Sequence, residues 1–250
     1  MTLKEALGLK KGEMVALIGA GGKTTTLFML AREFWEDGGK VLVTTTTKIF
    51  KPATPHVHRL YVVQEVGALL EEIEKIHEPV IVGAGGGVEA TKLVGLPPEW
   101  LDTVAQRAGL DAILVEADGA AMRPFKIPAE YEPVVPEKST VTIWVMGIKV
   151  LGQPLTSDWV HRAERAVDLL GVELASMVTQ ELILRLVQHP LGCLKGIPAG
   201  CPRVALINQA DTAEEVKKAT ELGRALLRHG IERVVITSYL SEDAVKGVLQ

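Results

Sequence analysis

The apolar run Met14–Ile18 leads directly into Gly19-Ala20-Gly21-Gly22-Lys23-Thr24-Thr25, and this junction restricts the fold more than any other stretch of the chain. A run without polar interruption reads as a strand buried on both faces, the habit of parallel sheets covered by helices. The glycines permit a tight turn, and Lys23–Trp35 follows with the spacing of a helix. Lys40–Thr45 is the next strand.

The same alternation continues to the end of the chain. Arg59–Val63, Pro79–Gly83, Ala112–Glu116, Thr140–Met146, Val204–Ile207 and Val234–Ile236 read as strands. Glu65–His77, Trp100–Ala108, Ala163–Leu170 and Thr179–Gln188 read as helices. Two capping boxes mark helix starts, Thr2 with Glu5 and Thr212 with Glu215. The least regular stretches are Lys126–Lys138 and Pro190–Pro202, and strands resume after both. The expectation is one α/β domain over residues 1–250, with three layers, a mostly parallel sheet and a helical insertion at about residues 150–200.

Of the 250 residues, 47% are hydrophobic and only 4% aromatic, which suits a core of Val, Ile, Leu and Ala. The net charge of −4 and the dispersed Lys and Arg argue against nucleic acid as the main partner. Cys193 and Cys201 lack metal-ligand spacing and read as free thiols of a reducing compartment. No apolar run approaches the ~20 residues that span a membrane, and Met1–Lys11 is no signal peptide. A cytoplasmic protein is expected.

A glycine loop between a buried strand and a helix suits a phosphate. Backbone N–H groups and the helix N-terminus face the anion. Gly19, Ala20, Gly21, Gly22, Lys23, Thr24 and Thr25 form the expected cradle. Lys23 brings a charge to the β and γ phosphates, and the Thr24 hydroxyl is placed for Mg²⁺. Two residues separate Gly19 from Gly22, where the common Walker A pattern has four before its Gly-Lys pair. The shortened form resembles the loop of Mur-type ligases. The alternative is an ordinary glycine turn.

Ligands of open α/β sheets sit at the carboxyl ends of the strands. Ala112–Glu116 ends in Glu116-Ala117-Asp118-Gly119, an acidic pair suited to holding Mg²⁺ or orienting water, or else an Asp-Gly turn. Val204–Ile207 ends in Asn208-Gln209-Ala210-Asp211, close to the Asn-Lys-x-Asp by which GTPases read guanine. Gln209 stands in the Lys position, and the other reading of Asp211 or Thr212 is a helix cap. Thr237 and Ser238 could complete a base pocket. Thr44–Thr47 are either ligand hydroxyls or β-branched strand residues. Gly83–Gly87 are either a close approach to a ligand or a turn. Arg123 and Lys126 are either phosphate contacts or parts of a solvated loop. His161-Arg162 falls at the expected start of a helix, where the Arg makes an anion site conceivable.

Several of these segments together resemble the selenium-dependent hydroxylase accessory proteins of the YqeC family. They are Val15–Thr25, Val41–Phe50, Leu114–Pro136 and Gly152–Arg162, with Asn208–Asp211 where that family approaches Asn-Lys-x-Asp. The resemblance implies a cytoplasmic P-loop NTPase-like protein associated with maturation of selenium-dependent molybdenum hydroxylases. The expected ligands are ATP or GTP with Mg²⁺, and the expected partner is a molybdenum hydroxylase or its cofactor. Lys23, Glu116 and Asp118 are the expected catalytic groups, Thr24, Glu116 and Asp118 the metal ligands, and Asn208 and Asp211 the base contacts. A Mg-dependent NTPase is the first expectation. The others are a kinase or ligase acting on a small acceptor, and a nucleotide-sensing partner protein without catalysis.

Overall fold

The computed structural model describes residues 1–52 and 56–250. Its centre is a nine-stranded sheet in the order β14-β13-β12-β10-β1-β8-β2-β5-β4. The strands of its middle are β1 (Glu13–Gly19), β2 (Lys40–Thr45), β8 (Ala112–Glu116), β10 (Val141–Gly147) and β12 (Arg203–Asn208). One flank holds β4 (Arg59–Val62) and β5 (Val80–Gly85), and the other holds β13 (Arg233–Thr237) and β14 (Val245–Leu249). Neighbours pair in parallel except β13 with β14, which is antiparallel.

The continuous apolar runs are explained by burial on both faces. Val15 and Leu17 of β1 pack with α1 (Leu3–Leu7) and α2 (Lys23–Glu36), through Leu3, Leu27 and Leu30. Ala16 and Ile18 point the other way, into a cluster with Leu222 and Leu226 of α7 (Ala213–Leu227) and Ile183 and Leu186 of α6 (Gln180–Gln188). On that same face, Leu42, Val82 and Ile113 pack with α3 (Val66–Glu74) and α4 (Pro98–Arg107). Three layers result, as the alternation required. Both expected capping boxes form, at Thr2 with Glu5 and at Thr212 with Glu215.

Residues 148–202, between β10 and β12, hold α5 (Glu164–Leu170), α6, a short 3₁₀ turn and many hydrogen-bonded turns. They also hold β11 (Val160–His161), which pairs with β9 (Phe125–Lys126). A second small sheet joins β3 (Lys48–Phe50), β6 (Gly87–Glu89) and β7 (Lys92–Val94). Sequence spacing gave no sign of these two- and three-residue strands. No helix among the described residues is long and apolar enough to cross a membrane.

Gly19 sits at the pivot of the fold. Its φ is +94°, and an added Cβ would strike the carbonyl oxygen of Val145 on the adjacent strand. Gly38 also has positive φ, +82°, but open space around it. We expect Gly19→Ala to cost at least about 2 kcal/mol, from strain plus overpacking, and Gly38→Ala about 1 kcal/mol. Urea midpoints of the two variants check this ordering.

Candidate functional site

The parallel register brings four strand ends together. Leu17 of β1 is level with Glu116 of β8, Gly19 with Val145 of β10, and Gly147 with Asn208 of β12. The glycine loop therefore emerges between the acidic strand end and the Asn208 strand end. A cavity of about 730 Å³ opens over Gly21–Thr25, with Glu116, Arg123, Asn208 and Gln209 in its walls.

The loop's N–H groups divide into two sets. Gly19 N–H donates to Asp118 Oδ2 at 3.0 Å, Ala20 N–H to the Val145 carbonyl at 2.8 Å and Gly21 N–H to the Arg123 carbonyl at 3.0 Å. Those three residues anchor the loop and have no N–H left for a ligand. The N–H groups of Gly22, Lys23, Thr24 and Thr25 have no partner among the described residues. They are the orphan donors of the first turn of α2. Any anion held here meets Gly22–Thr25, a narrower cradle than the sequence implied.

Lys23 is buried and ringed by acceptors. Its Nζ donates to the Gly19 carbonyl at 2.6 Å, lies 3.0 Å from Asp118 Oδ1 and 3.7 Å from Glu116 Oε1. The Asp118 contact is an ion pair without the alignment of a hydrogen bond. Thr24 Oγ1 donates to Glu116 Oε2 at 2.7 Å. Lys23 thus meets both carboxylates and Thr24 meets Glu116, so the four residues singled out for phosphate and metal chemistry form one cluster. Burial pushes the Glu116 carboxyl up despite the opposing pull of Lys23 and the Thr24 hydroxyl.

Two acidic positions with different surroundings emerge. Glu116 lines the cavity and touches Thr24. Asp118 lies beneath it, bonded to Gly19 N–H and ion-paired to both Lys23 and Lys126. Lys126 is neither a phosphate contact nor part of a solvated loop. It is buried on β9, donating to the Gly119 carbonyl at 2.5 Å and to Glu132 Oε2 at 2.7 Å. Arg162 Nη1 reaches the same Glu132 oxygen at 2.6 Å. His161-Arg162 belongs to the β11 edge rather than to a helix start, which comes at Glu164. A chain of alternating charge, Glu116–Lys23–Asp118–Lys126–Glu132–Arg162, runs from the cavity outward. Sequence reading missed Glu132, whose only signal was its place in an acidic, proline-rich stretch.

Asn208 and Asp211 occupy different roles. Asn208 is buried, donating Nδ2–H to the Gly21 carbonyl at 2.8 Å and accepting from Thr237 Oγ1 at 3.0 Å. It staples the glycine loop to β12 and β13. Asp211 accepts from Ser238 Oγ at 2.6 Å and pairs with Lys149 Nζ at 2.6 Å. Lys149 follows β10 and was not anticipated. Gln209 takes a positive φ of 64°, which directs its side chain against Gly147 at the cavity wall. Thr212, not Asp211, caps α7.

Two other groups have structural uses. The Thr44, Thr45 and Thr46 hydroxyls donate to the carbonyls of Ala84, Glu116 and Val134. They brace strand ends. Thr47 N–H donates to Thr45 Oγ1, closing the same turn. Gly83 and Gly85 lie in β5, where added Cβ atoms would press on Leu60 and Leu93, so their smallness serves packing. Both cysteines are free and buried, and burial pushes Cys193 up to about 12.

Burial would raise the Glu132 carboxyl, but its bonds from Lys126 and Arg162 hold it below the usual carboxylate range. A lowered pKa contributes stability above the unfolded value, lost as pH falls through the folded one. Glu132→Ala should cost about 3 kcal/mol near neutral pH, because it takes the nearer of two carboxylates from buried Lys126 and the same partner from Arg162. The gap between variant and wild type should narrow below about pH 4, where the unfolded carboxyl protonates. Denaturant titrations at several pH values check both parts.

Comparison with known proteins agrees with the sequence resemblance. The family described as YqeC protein matches residues 15–164, which span the glycine loop, the Glu116–Asp118 pair and the Glu132–Arg162 bridge. The Escherichia coli (strain K12) protein described as "Uncharacterized protein YqeC" is 34% identical over 236 residues, covering 94% of this chain and 91% of that protein. The chain belongs to the YqeC family.

Proposed function

We propose that this protein binds and hydrolyses a nucleoside triphosphate with Mg²⁺, as an accessory factor in maturation of selenium-dependent molybdenum hydroxylases. The observation that carries the nucleotide reading is the convergence of Lys23 and Thr24 with Glu116 beside the four N–H groups of Gly22–Thr25, which have no partner among the described residues. The client class rests on the family resemblance of the segments around those residues.

The donor set fits a magnesium ion. Mg²⁺ is held by one or two carboxylates, waters and substrate phosphates rather than by a full protein cage. Thr24 Oγ1 and Glu116 would hold it, and no larger cluster of ligating side chains exists among the described residues. When bound, the ion neutralises charge developing on the phosphate oxygens.

The chain's own residues do the rest. Gly22–Thr25 N–H groups and the α2 dipole orient the terminal phosphates. Lys23 exchanges part of its carboxylate contact for phosphate oxygen, and Asp118 keeps the loop in place through Gly19 N–H. Glu116, beside Thr24 and Lys23, is placed to hold the ion or to orient the attacking water. A transferase acting on a small acceptor is the second reading, favoured by another cavity that shares Thr24 and Thr25.

Three outcomes test this. Lys23→Ala should lower Mg²⁺-dependent phosphate release by at least about a hundredfold, measured against wild type; an unchanged rate refutes the reading. Because Glu116 would share the ion with Thr24, Glu116→Gln should raise the Mg²⁺ concentration for half-maximal phosphate release by at least about tenfold, read from a Mg²⁺ titration. A nucleotide at a hundred times its Kd should stabilise the fold by about 2.7 kcal/mol. Thermal shifts with ATP, GTP and CTP identify the base, and Asp211→Asn should weaken the preferred one most if Asp211 reads it.

A further inference from the structure

On the far side of Thr24 and Thr25 lies a second open cavity of about 750 Å³. Among the described residues its walls come from α2, from Phe50, Lys51, Pro52, His56 and His58, and from Ile81 of β5. That is the size range of small-molecule sites. Phe28 and Trp35 line it from the helix, and Phe50 stands at the rim common to both cavities.

The chemistry of the walls selects a ligand class. The aromatic surfaces offer flat faces, and Phe28 already stacks on His56 with ring centroids 4.5 Å apart and planes 23° apart. The charged lining groups are Arg32 and Lys51, with imidazoles at His56 and His58, and no carboxylate lines the cavity among the described residues. His58 Nδ1 accepts from Ile81 N–H at 2.9 Å, which leaves Nε2 as the protonated nitrogen of the neutral ring. Among the described residues Arg32 pairs with Glu36 alone, one helical turn along at 2.8 Å, and both side chains are exposed. Such a pair exchanges readily for a ligand anion.

We infer that this cavity binds a small planar aromatic molecule bearing an acidic group, as a second ligand beside the nucleotide. Stacking against Phe28 and Trp35 holds the ring, and Arg32 and Lys51 hold the anion. The shared Thr24-Thr25 wall brings that ligand to the phosphate end of the nucleotide, and this second-substrate placement rests on the nucleotide reading above. Occupancy of the cavity does not.

The test uses the full chain and two probes with the same N-phenylnaphthylamine skeleton. 8-Anilinonaphthalene-1-sulfonate carries flat aryl rings and an anionic sulfonate, and N-phenyl-1-naphthylamine is its neutral counterpart. The anionic probe should saturate one site on the native protein and bind at least about tenfold more tightly than the neutral one. Arg32→Glu, an exposed change, should weaken the anionic probe about tenfold and leave thermal stability unaltered. Phe28→Ala should weaken both probes. Lys23→Ala should abolish nucleotide binding and leave the probe in place, which separates the two claims. Equal affinity for both probes, or indifference to Arg32→Glu, overturns the inference. Probe binding without any nucleotide binding to the wild type keeps the ligand site and removes its second-substrate role.

Discussion

The ammonium of Lys23, buried among the Gly19 carbonyl, Asp118 and Glu116, is the contact on which the rest of the site depends. A buried cation is costly unless it is paired and hydrogen-bonded. The solution here is a relay of opposite charges, continuing through Lys126 and Glu132 to Arg162. Each member is tolerated because its neighbours are of opposite sign, so the cluster is rigid as a unit and vulnerable to loss of any one charge. A phosphate entering over Gly22–Thr25 would add negative charge at the Glu116–Lys23 end of that relay, which opens to a cavity.

Topology explains why the relay can form. β1 lies between β8 and β10, so the loop after β1 has an acidic strand end on one side and the Asn208 strand two places away on the other. Parallel pairing puts all these ends at one edge of the sheet. The small β9–β11 pair then folds the segment after β8 back under the site, carrying Lys126 inward. Loop Gly119–Arg123 closes the cavity with positive φ at Ala121 and Met122, a conformation that non-glycine residues seldom adopt.

The central strands, α2 and both capping boxes were legible because they obey local rules. Uninterrupted Val, Ile and Leu mark two-sided burial, and Thr-x-x-Glu marks a helix start. Lys23, Thr24, Glu116 and Asp118 were legible for the same reason, as polar residues at strand and helix ends. Lys126 was misread because its burial depends on a two-residue strand pairing with Val160–His161, which leaves no periodicity. Lys149 meets Asp211 only through the neighbouring strand, so no spacing announced it. The sequence leaves Thr44–Thr47 open between ligand hydroxyls and strand residues, since hydroxyl groups at strand ends serve either purpose, and Thr44–Thr46 bond to backbone carbonyls. β14 is half-exposed and antiparallel, and carries a weak pattern.

Amide resonances of the phosphate loop test the central claim most directly. Nitrogen–proton correlation spectra recorded while Mg²⁺ and a nucleoside triphosphate are added should move Gly22, Lys23, Thr24 and Thr25 strongly. Gly19, Ala20 and Gly21, whose N–H groups are already bonded within the chain, should move little. Loop amides unmoved by millimolar ATP, GTP, CTP or UTP would contradict the account.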